Sequence, residues 1–289
     1  MSTVTSNAHS SVSAKDRILA FRGLQSNMFA HPVDMKVTSQ LEKLPIIENI
    51  ARSVFNTLEQ ALVVENLGSS ILVGQAQMPQ LYNTLAKAAK ILDMEAPDLY
   101  IKQNPLPNAY TLAYKGKKPF IVMHTGLLDL LNEDEIMAVL GHELGHLKCE
   151  HGIWVTLLTA LVQVADSFVG SLVPLKTLLL YWQRSAELSV DRASQLLAKD
   201  YKVVASVLMK LCGGSNKNEF SKDLNVEAFL AQAAQLEKEK QSMAGSMYIL
   251  ANEQLSTHPI PLLRATELMR WHRSAQYSGL IRRAVEVKL

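Results

Sequence analysis

Residues Asn132 to Leu147 read N-E-D-E-I-M-A-V-L-G-H-E-L-G-H-L, and this run predicts one helix with a metal-binding face. Asn132, followed three residues later by Glu135, has the logic of an N-cap with a reciprocating acid. Ile136, Val139, Leu140, Leu144 and Leu147 supply a buried stripe at helical spacing. The helix is expected over residues 133 to about 150. Within it His142 and His146 stand four residues apart, so both imidazoles leave one face and can grip a single Zn2+. Glu143 then lies beside the open position of the ion. A carboxylate there can take the proton of a zinc-activated water as that water attacks a carbonyl.

Upstream of this helix, Ala109 to Tyr114 and Pro119 to His124 are β-rich runs separated by Lys115, Gly116, Lys117 and Lys118, the signal of an antiparallel hairpin. Leu99 to Lys102, bounded by Pro97, Pro105 and Pro107, reads as a further short strand. Earlier still, apolar residues recur at spacings of three and four from about Ser39 to Leu67 and from Met78 to Met94. These are amphipathic scaffold helices, with a break at Gly68, Ser69 and Ser70.

Downstream, Gly152 to Trp182 is the most apolar stretch. Its longest uncharged run, Gly152 to Ala165, falls short of the roughly 20 residues that a spanning helix needs, and Asp166, Pro174 and Lys176 interrupt the remainder. It reads as a buried helical hairpin, with peripheral membrane contact through 152–182 as the alternative. Helices come next from about Thr177 to Lys199, Val203 to Leu211 and Val226 to Lys240. Near the end, Ser256 and Thr257 before His258 and Pro259 look like a helix start with proline in the first turn.

The chain has 29 Lys and Arg against 27 Asp and Glu, a formal charge of +2, with the basic residues scattered; nothing favours nucleic acid as a partner. Cys149 and Cys212 are too few for a disulfide framework and lack zinc-ribbon spacing, which suits a reducing compartment. Residues 1–16 are rich in Ser, Thr, Ala and Asn and lack the apolar stretch of a secretory signal. The acid-poor start gives an organelle transit peptide only weak support, so a cytoplasmic location is expected. The expected organisation is a flexible or pro-like segment over 1–35 and a single domain over 36–289. That domain divides into a helical preamble at 36–96, a zinc-site core at 97–200 and a carboxy-terminal helical part at 201–289.

A third protein ligand must come from elsewhere. The metzincin spacing would put a histidine at position 152, where the chain has Gly152, and His151 is one residue out of that register, so it reads as a helix-end residue. In Ser185-Ala186-Glu187-Leu188-Ser189-Val190-Asp191, two carboxylates share one helix face a turn apart. Glu187 can reach a metal while Asp191 supports a ligand histidine; the plain alternative is a solvated acidic face. Taken alone, His258 is a histidine near a helix start, Arg264 a surface or salt-bridge residue, and His124 a structural or rim residue.

Three motifs in order, H-E-L-G-H at 142–146, A-E-L-S-V-D-R at 186–192 and S-T-H-P at 256–259, resemble the gluzincin metallopeptidases of the HtpX and CAAX prenyl endopeptidase kind. Asn108-Ala109-Tyr110 and Thr125-Gly126-Leu127-Leu128 extend the likeness, which runs from roughly Asp98 to Arg264. The resemblance implies an α+β, mainly helical zincin-like fold with a small antiparallel sheet beside the motif helix. It implies one Zn2+ per chain held by His142, His146 and Glu187, with Asp191 orienting the site. It gives His258 to oxyanion stabilisation and Arg264 to steadying Glu187. Asn108, Ala109 and Tyr110 would hold an extended substrate by strand addition. The expected activity is zinc-dependent endopeptidase cleavage of unfolded or extended polypeptides, in protein quality control. Three alternatives stand beside it: a latent form gated by the chain's own segments; a catalytically silent, zinc-bound module that binds chains without cutting them, against which the intact Glu143 argues; and a non-peptidase hydrolase that turns the same zinc chemistry on another amide.

Overall fold

In the computed structural model the described residues are 17–41, 43, 60–113, 118–152, 154–155, 157–160, 162, 173–215, 222–255 and 259–288. The chain enters on β1 (Arg17–Ala20), which pairs antiparallel with β6 (Val285–Lys288), so the two ends of the described chain close on each other. A short 3-10 turn, Ser26–Met28, leads to α1 (Pro32–Leu41). Flexibility through residue 35, as expected from the sequence, therefore does not hold from Arg17 onward. Phe29 is 0% exposed and Asp34 1%, because this segment is held by contacts to distant elements that its own composition does not reveal. The preamble expected from Ser39 starts earlier, at Pro32; residues 60–69 are helical, and most of the stretch between lies outside the described residues.

A four-stranded sheet comes next, in the order β2-β3-β5-β4, from β2 (Ile71–Leu72), β3 (Asp98–Lys102), β4 (Ala109–Leu112) and β5 (Phe120–His124). The predicted hairpin is present: β4 and β5 run antiparallel with Ala109 opposite Met123 and Leu112 opposite Phe120. Its turn at 114–117 lies outside the described residues. The expectation of an antiparallel sheet needs one amendment, since β3 and β5 are parallel. The amphipathic helix α2 (Pro79–Ile91), which buries Leu81, Leu85, Ala88, Ala89 and Ile91, connects β2 to β3, and β4 takes the edge beyond β5. A hairpin partner thus occupies one side of β5, and the other is left for β3.

A short helix, α3 (Thr125–Leu130), leads into α4 (Glu133–Lys148), which carries the H-E-L-G-H motif. Its capping box forms as predicted: Asn132 Oδ1 accepts from the Glu135 amide at 3.0 Å, and Glu135 Oε2 accepts from the Asn132 amide at 2.9 Å. Glu135 also takes Ser206 Oγ and Lys210 Nζ, each at 2.7 Å, which ties the start of α4 to α6 (Tyr201–Gly213). Between them α5 (Val173–Ala198) crosses α4 closely, and glycine makes that approach possible. A Cβ on Gly145 would stand 3.0 Å from both Val190 Cβ and Ala193 Cβ, and one on Gly141 would stand 3.0 Å from Ser194 Cα. Any larger residue at either place would push α5, and Glu187 with it, away from the two histidines.

The main core lies between the sheet, α2, α4, the second half of α5 and α6, with Leu92, Ile121, Leu140, Leu144 and Leu196 fully covered. Trp154, Leu157, Val162, Leu179 and Trp182 from the apolar insert form a second cluster with Val37 and Leu41 of α1. Among the described residues no helix is long and apolar enough to cross a membrane. The chain then continues through α7 (Val226–Glu239), α8 (Met243–Leu255), α9 (Pro261–His272) and α10 (Ala275–Arg283). The last predicted helix start is displaced: the proline in the first turn of α9 is Pro261, with Ile260 as the N-cap, while 256–258 lie outside the described residues.

Candidate metal centre

His142 and His146 project from α4 toward α5, where Glu187 meets them. His142 Nε2 is 3.5 Å from Glu187 Oε2, and His146 Nε2 is 3.5 Å from Glu187 Oε1. One donor atom from each residue falls within 4.8 Å of the other two, a set of two imidazoles and one carboxylate. This donor set and its convergence would suit a divalent ion of borderline softness such as zinc. Glu187 and Asp191 are 6% and 1% exposed, which removes the solvated-face alternative.

Asp191, one turn after Glu187, faces the same side of α5 and accepts from His142 Nδ1 at 3.1 Å. That bond places a proton on Nδ1, so Nε2 is the nitrogen that faces the three-residue pocket and would bind an ion there. Arg264, from the first turn of α9, grips Asp191 with two N–H groups, Nε at 2.8 Å and Nη2 at 2.6 Å, while its Nη1 lies 3.5 Å from Glu187 Oε2. The arginine therefore holds Asp191 by two hydrogen bonds besides lying beside Glu187, the partner that the resemblance implied. Burial works to raise the Asp191 carboxyl, but Arg264 and the His142 bond outweigh it and hold the group below its ordinary range.

Glu143, 6% exposed, is held in place by a residue that the sequence does not single out: Thr111 Oγ1, on β4, donates to its Oε2 at 2.7 Å. The contact joins the edge strand to the motif helix, and no local pattern announces it. Asn108, Ala109 and Tyr110, also on or beside β4, line the same cleft of about 1010 Å³ as His142, Glu143, His146 and Glu187. His258 lies outside the described residues. His124 is buried, with Nδ1 3.1 Å from the Leu106 carbonyl, in keeping with its structural reading.

His151 is not the helix-end residue expected from the sequence. Glu150, at φ 55°, turns the chain back after α4 through the left-handed region, and His151 returns beneath His146 with 1% exposure. Its Nδ1 lies 3.2 Å from His146 Nδ1, and its Nε2 lies 2.9 Å from Asp34 Oδ2. Asp34, Cys149 and His151 form a second buried group whose donor atoms come within 4.8 Å of one another.

Residues 75–272 match Peptidase family M48. The chain is 46% identical over 274 residues to a plastoglobule-localized metallopeptidase 48 of Arabidopsis thaliana, described as chloroplastic, a match that spans 92% of this chain and 78% of that one. It is 29% identical to a protease HtpX homolog of Thermodesulfovibrio yellowstonii over 100 residues, 35% of each chain. The crystal structure of S. mikatae Ste24p covers 82% of this chain and 62% of that one at 15% identity, with a TM-score of 0.43, too low to bear on the fold. The H-E-L-G-H helix and the glutamate on α5 fall inside the matched stretch, together with Arg264: the chain belongs to Peptidase family M48 and is a metallopeptidase.

Proposed function

We propose that the protein is a zinc-dependent endopeptidase in which His142, His146 and Glu187 hold the ion and Glu143 is the general base. The observation that carries this reading is the meeting of His142 Nε2 and His146 Nε2 with the two oxygens of Glu187, beside a carboxylate fixed in the same cleft. A zinc ion held by His142, His146 and Glu187 would supply Lewis acidity and a water acidic enough to be deprotonated near neutral pH. Glu143 takes the proton of the attacking water and delivers it to the leaving amine nitrogen, its carboxylate kept in place by Thr111. His258 stabilises the oxyanion, as the resemblance implies.

The substrate is an extended polypeptide. β4 is the edge of its sheet and lies along the cleft wall, so a chain added to that edge would be read through its backbone and would pass over Glu143. Backbone reading suits unfolded chains and a quality-control role. The test is cleavage of an unfolded protein such as reduced casein: the purified chain is expected to cut it, to stop on addition of chelator, and to resume when zinc returns. Zinc-loaded protein that binds the substrate without cutting it would favour a silent chain-binding module.

Metal uptake should depend on pH with a defined sign. Burial lowers the pKa of His142, but its hydrogen bonds to Asp191 and Glu187 win and raise it to about 10. In the metal-free protein at pH 8 this histidine carries a proton that zinc must displace, whereas His146, lowered mainly by burial, is already neutral. One proton should be released per ion at pH 8, and apparent affinity should fall about tenfold for each unit of pH lost between about 9 and 7. Calorimetry in buffers of different ionisation enthalpy reads both quantities; pH-independent affinity would contradict the arrangement.

We place the protein on a lipid surface rather than free in the cytoplasm. Leu175, Leu178 and Tyr181 are 47%, 59% and 50% exposed at the start of α5, and the Arabidopsis relative is named for plastoglobules. The protein is expected to float with liposomes in a density gradient, and Leu178→Glu to leave it in the soluble fraction.

A further inference from the structure

The Asp34, Cys149 and His151 group has the burial and spacing of a second metal site, but its hydrogen bonds give it a different role. Both oxygens of Asp34 are taken. Oδ2 accepts from Ser189 Oγ at 2.6 Å and faces His151 Nε2 at 2.9 Å; Oδ1 accepts from Trp182 Nε1 at 3.0 Å and Thr38 Oγ1 at 3.2 Å. Burial holds the Cys149 thiol well above its ordinary range, so it stays protonated and a poor ligand. An ion here would have to strip a carboxylate that four donors already satisfy.

The proton positions along the row are set by what each atom can do. Four donors surround the two oxygens of Asp34, a setting that suits the ionised carboxylate, so Asp34 accepts at every contact. His151 must then carry its proton on Nε2. With Nε2 donating to Asp34, the His151 nitrogen left to accept is Nδ1, which makes His146 Nδ1 the donor across the 3.2 Å contact. The Nε2 of His146 is left unprotonated, facing Glu187. The Nδ1 of His142 is held as a donor by a carboxylate directly, Asp191, and that of His146 through a second imidazole.

We propose that Asp34 and His151 are positioning residues of the metal centre: they fix the tautomer and ring orientation of His146, so that α1, outside the stretch matched by the family, completes the site. The segment is seated for this. The His31 amide donates to Ser189 Oγ at 2.8 Å, and Arg192 Nη1 donates to the Phe29 and Ala30 carbonyls at 3.1 Å, so the turn before α1 is fastened to the helix that carries Glu187. An outer partner of this kind commonly contributes about 10–100-fold in metal affinity.

The inference rests on His146 being a ligand, and the experiment separates the two. Zinc affinity is measured by competition with a chromophoric chelator, without reference to activity, in the wild type and in folded His151→Phe, Asp34→Asn, His151→Gln and Phe29→Leu. His151→Phe and Asp34→Asn should bind zinc about 10–100-fold more weakly. His151→Gln, which can accept with its oxygen and donate with its nitrogen, should recover to within about threefold of the wild type. Phe29→Leu, a core change in the same segment, should lower the thermal midpoint and leave affinity unchanged. If the phenylalanine and asparagine variants fail to fold, long-range proton–nitrogen spectra of the zinc-loaded wild type decide: His151 should carry its proton on Nε2 and His146 on Nδ1. Wild-type affinity in folded His151→Phe, a second zinc equivalent, or a proton on His151 Nδ1 would overturn the inference. Failure of the wild type to bind any zinc would overturn the metal centre itself.

Discussion

Glu143→Gln should keep its zinc and lose cleavage by about 10²–10⁴-fold, the range a positioned general base contributes. Glutamine is the informative replacement because its side-chain oxygen can still accept from Thr111 Oγ1, the bond that holds Oε2 at 2.7 Å in the wild type. Shape and packing at a site only 6% exposed are then preserved, and the capacity to take a proton is removed. The loss should fall on kcat with KM little changed, since the carboxylate acts on the water rather than on the substrate backbone. Rates come from a quenched peptide substrate, with zinc measured on the same samples. A variant that cleaves within tenfold of the wild type would assign the proton transfer elsewhere.

Glu187→Ala should have the second large effect, and on metal rather than on rate. The carboxylate supplies both oxygens that face His142 Nε2 and His146 Nε2. Removing it takes away the carboxylate that the two imidazoles share and leaves Arg264 hydrogen-bonded to Asp191. Zinc affinity should fall well beyond the roughly 100-fold upper range for losing a supporting residue, because a ligand itself is gone. Dialysis against a moderate chelator followed by metal analysis checks this: the wild type retains its ion and the variant emerges without it. Retention in both would remove Glu187 from the ligand set.

What the sequence could announce was whatever lies within a few turns of one helix. The capping box at Asn132 and Glu135, the paired histidines and the spacing of Glu187 and Asp191 are local patterns; the box forms as read, and the structure brings His142, His146 and Glu187 together with Asp191 beside His142. The contacts that complete the site are not local. Asp34 meets His151 across 117 positions and Ser189 across 155, and Thr111 meets Glu143 across 32. Periodicity carries no information about such meetings, so α1 was legible only as the end of a flexible or pro-like segment and the start of a scaffold preamble, and His151 only as a helix-end residue. The left-handed turn at Glu150 that brings His151 back has no glycine to mark it. The parallel pairing of β3 and β5 was hidden for a related reason: the hairpin signal fixes one neighbour of β5 and is silent about the other. Gly141 and Gly145, which could pass for weak points in a helix, acquire their meaning only when α5 is seen to lie against them.

The most direct test of the metal centre is a crystal structure of the zinc-loaded protein with anomalous diffraction recorded on both sides of the zinc absorption edge. The arrangement predicts a single anomalous peak per chain, within coordination distance of His142 Nε2, His146 Nε2 and a Glu187 oxygen, with Asp34 and His151 still hydrogen-bonded beneath it. A peak between Asp34, Cys149 and His151 instead, or no peak in protein to which zinc had been supplied, would contradict it.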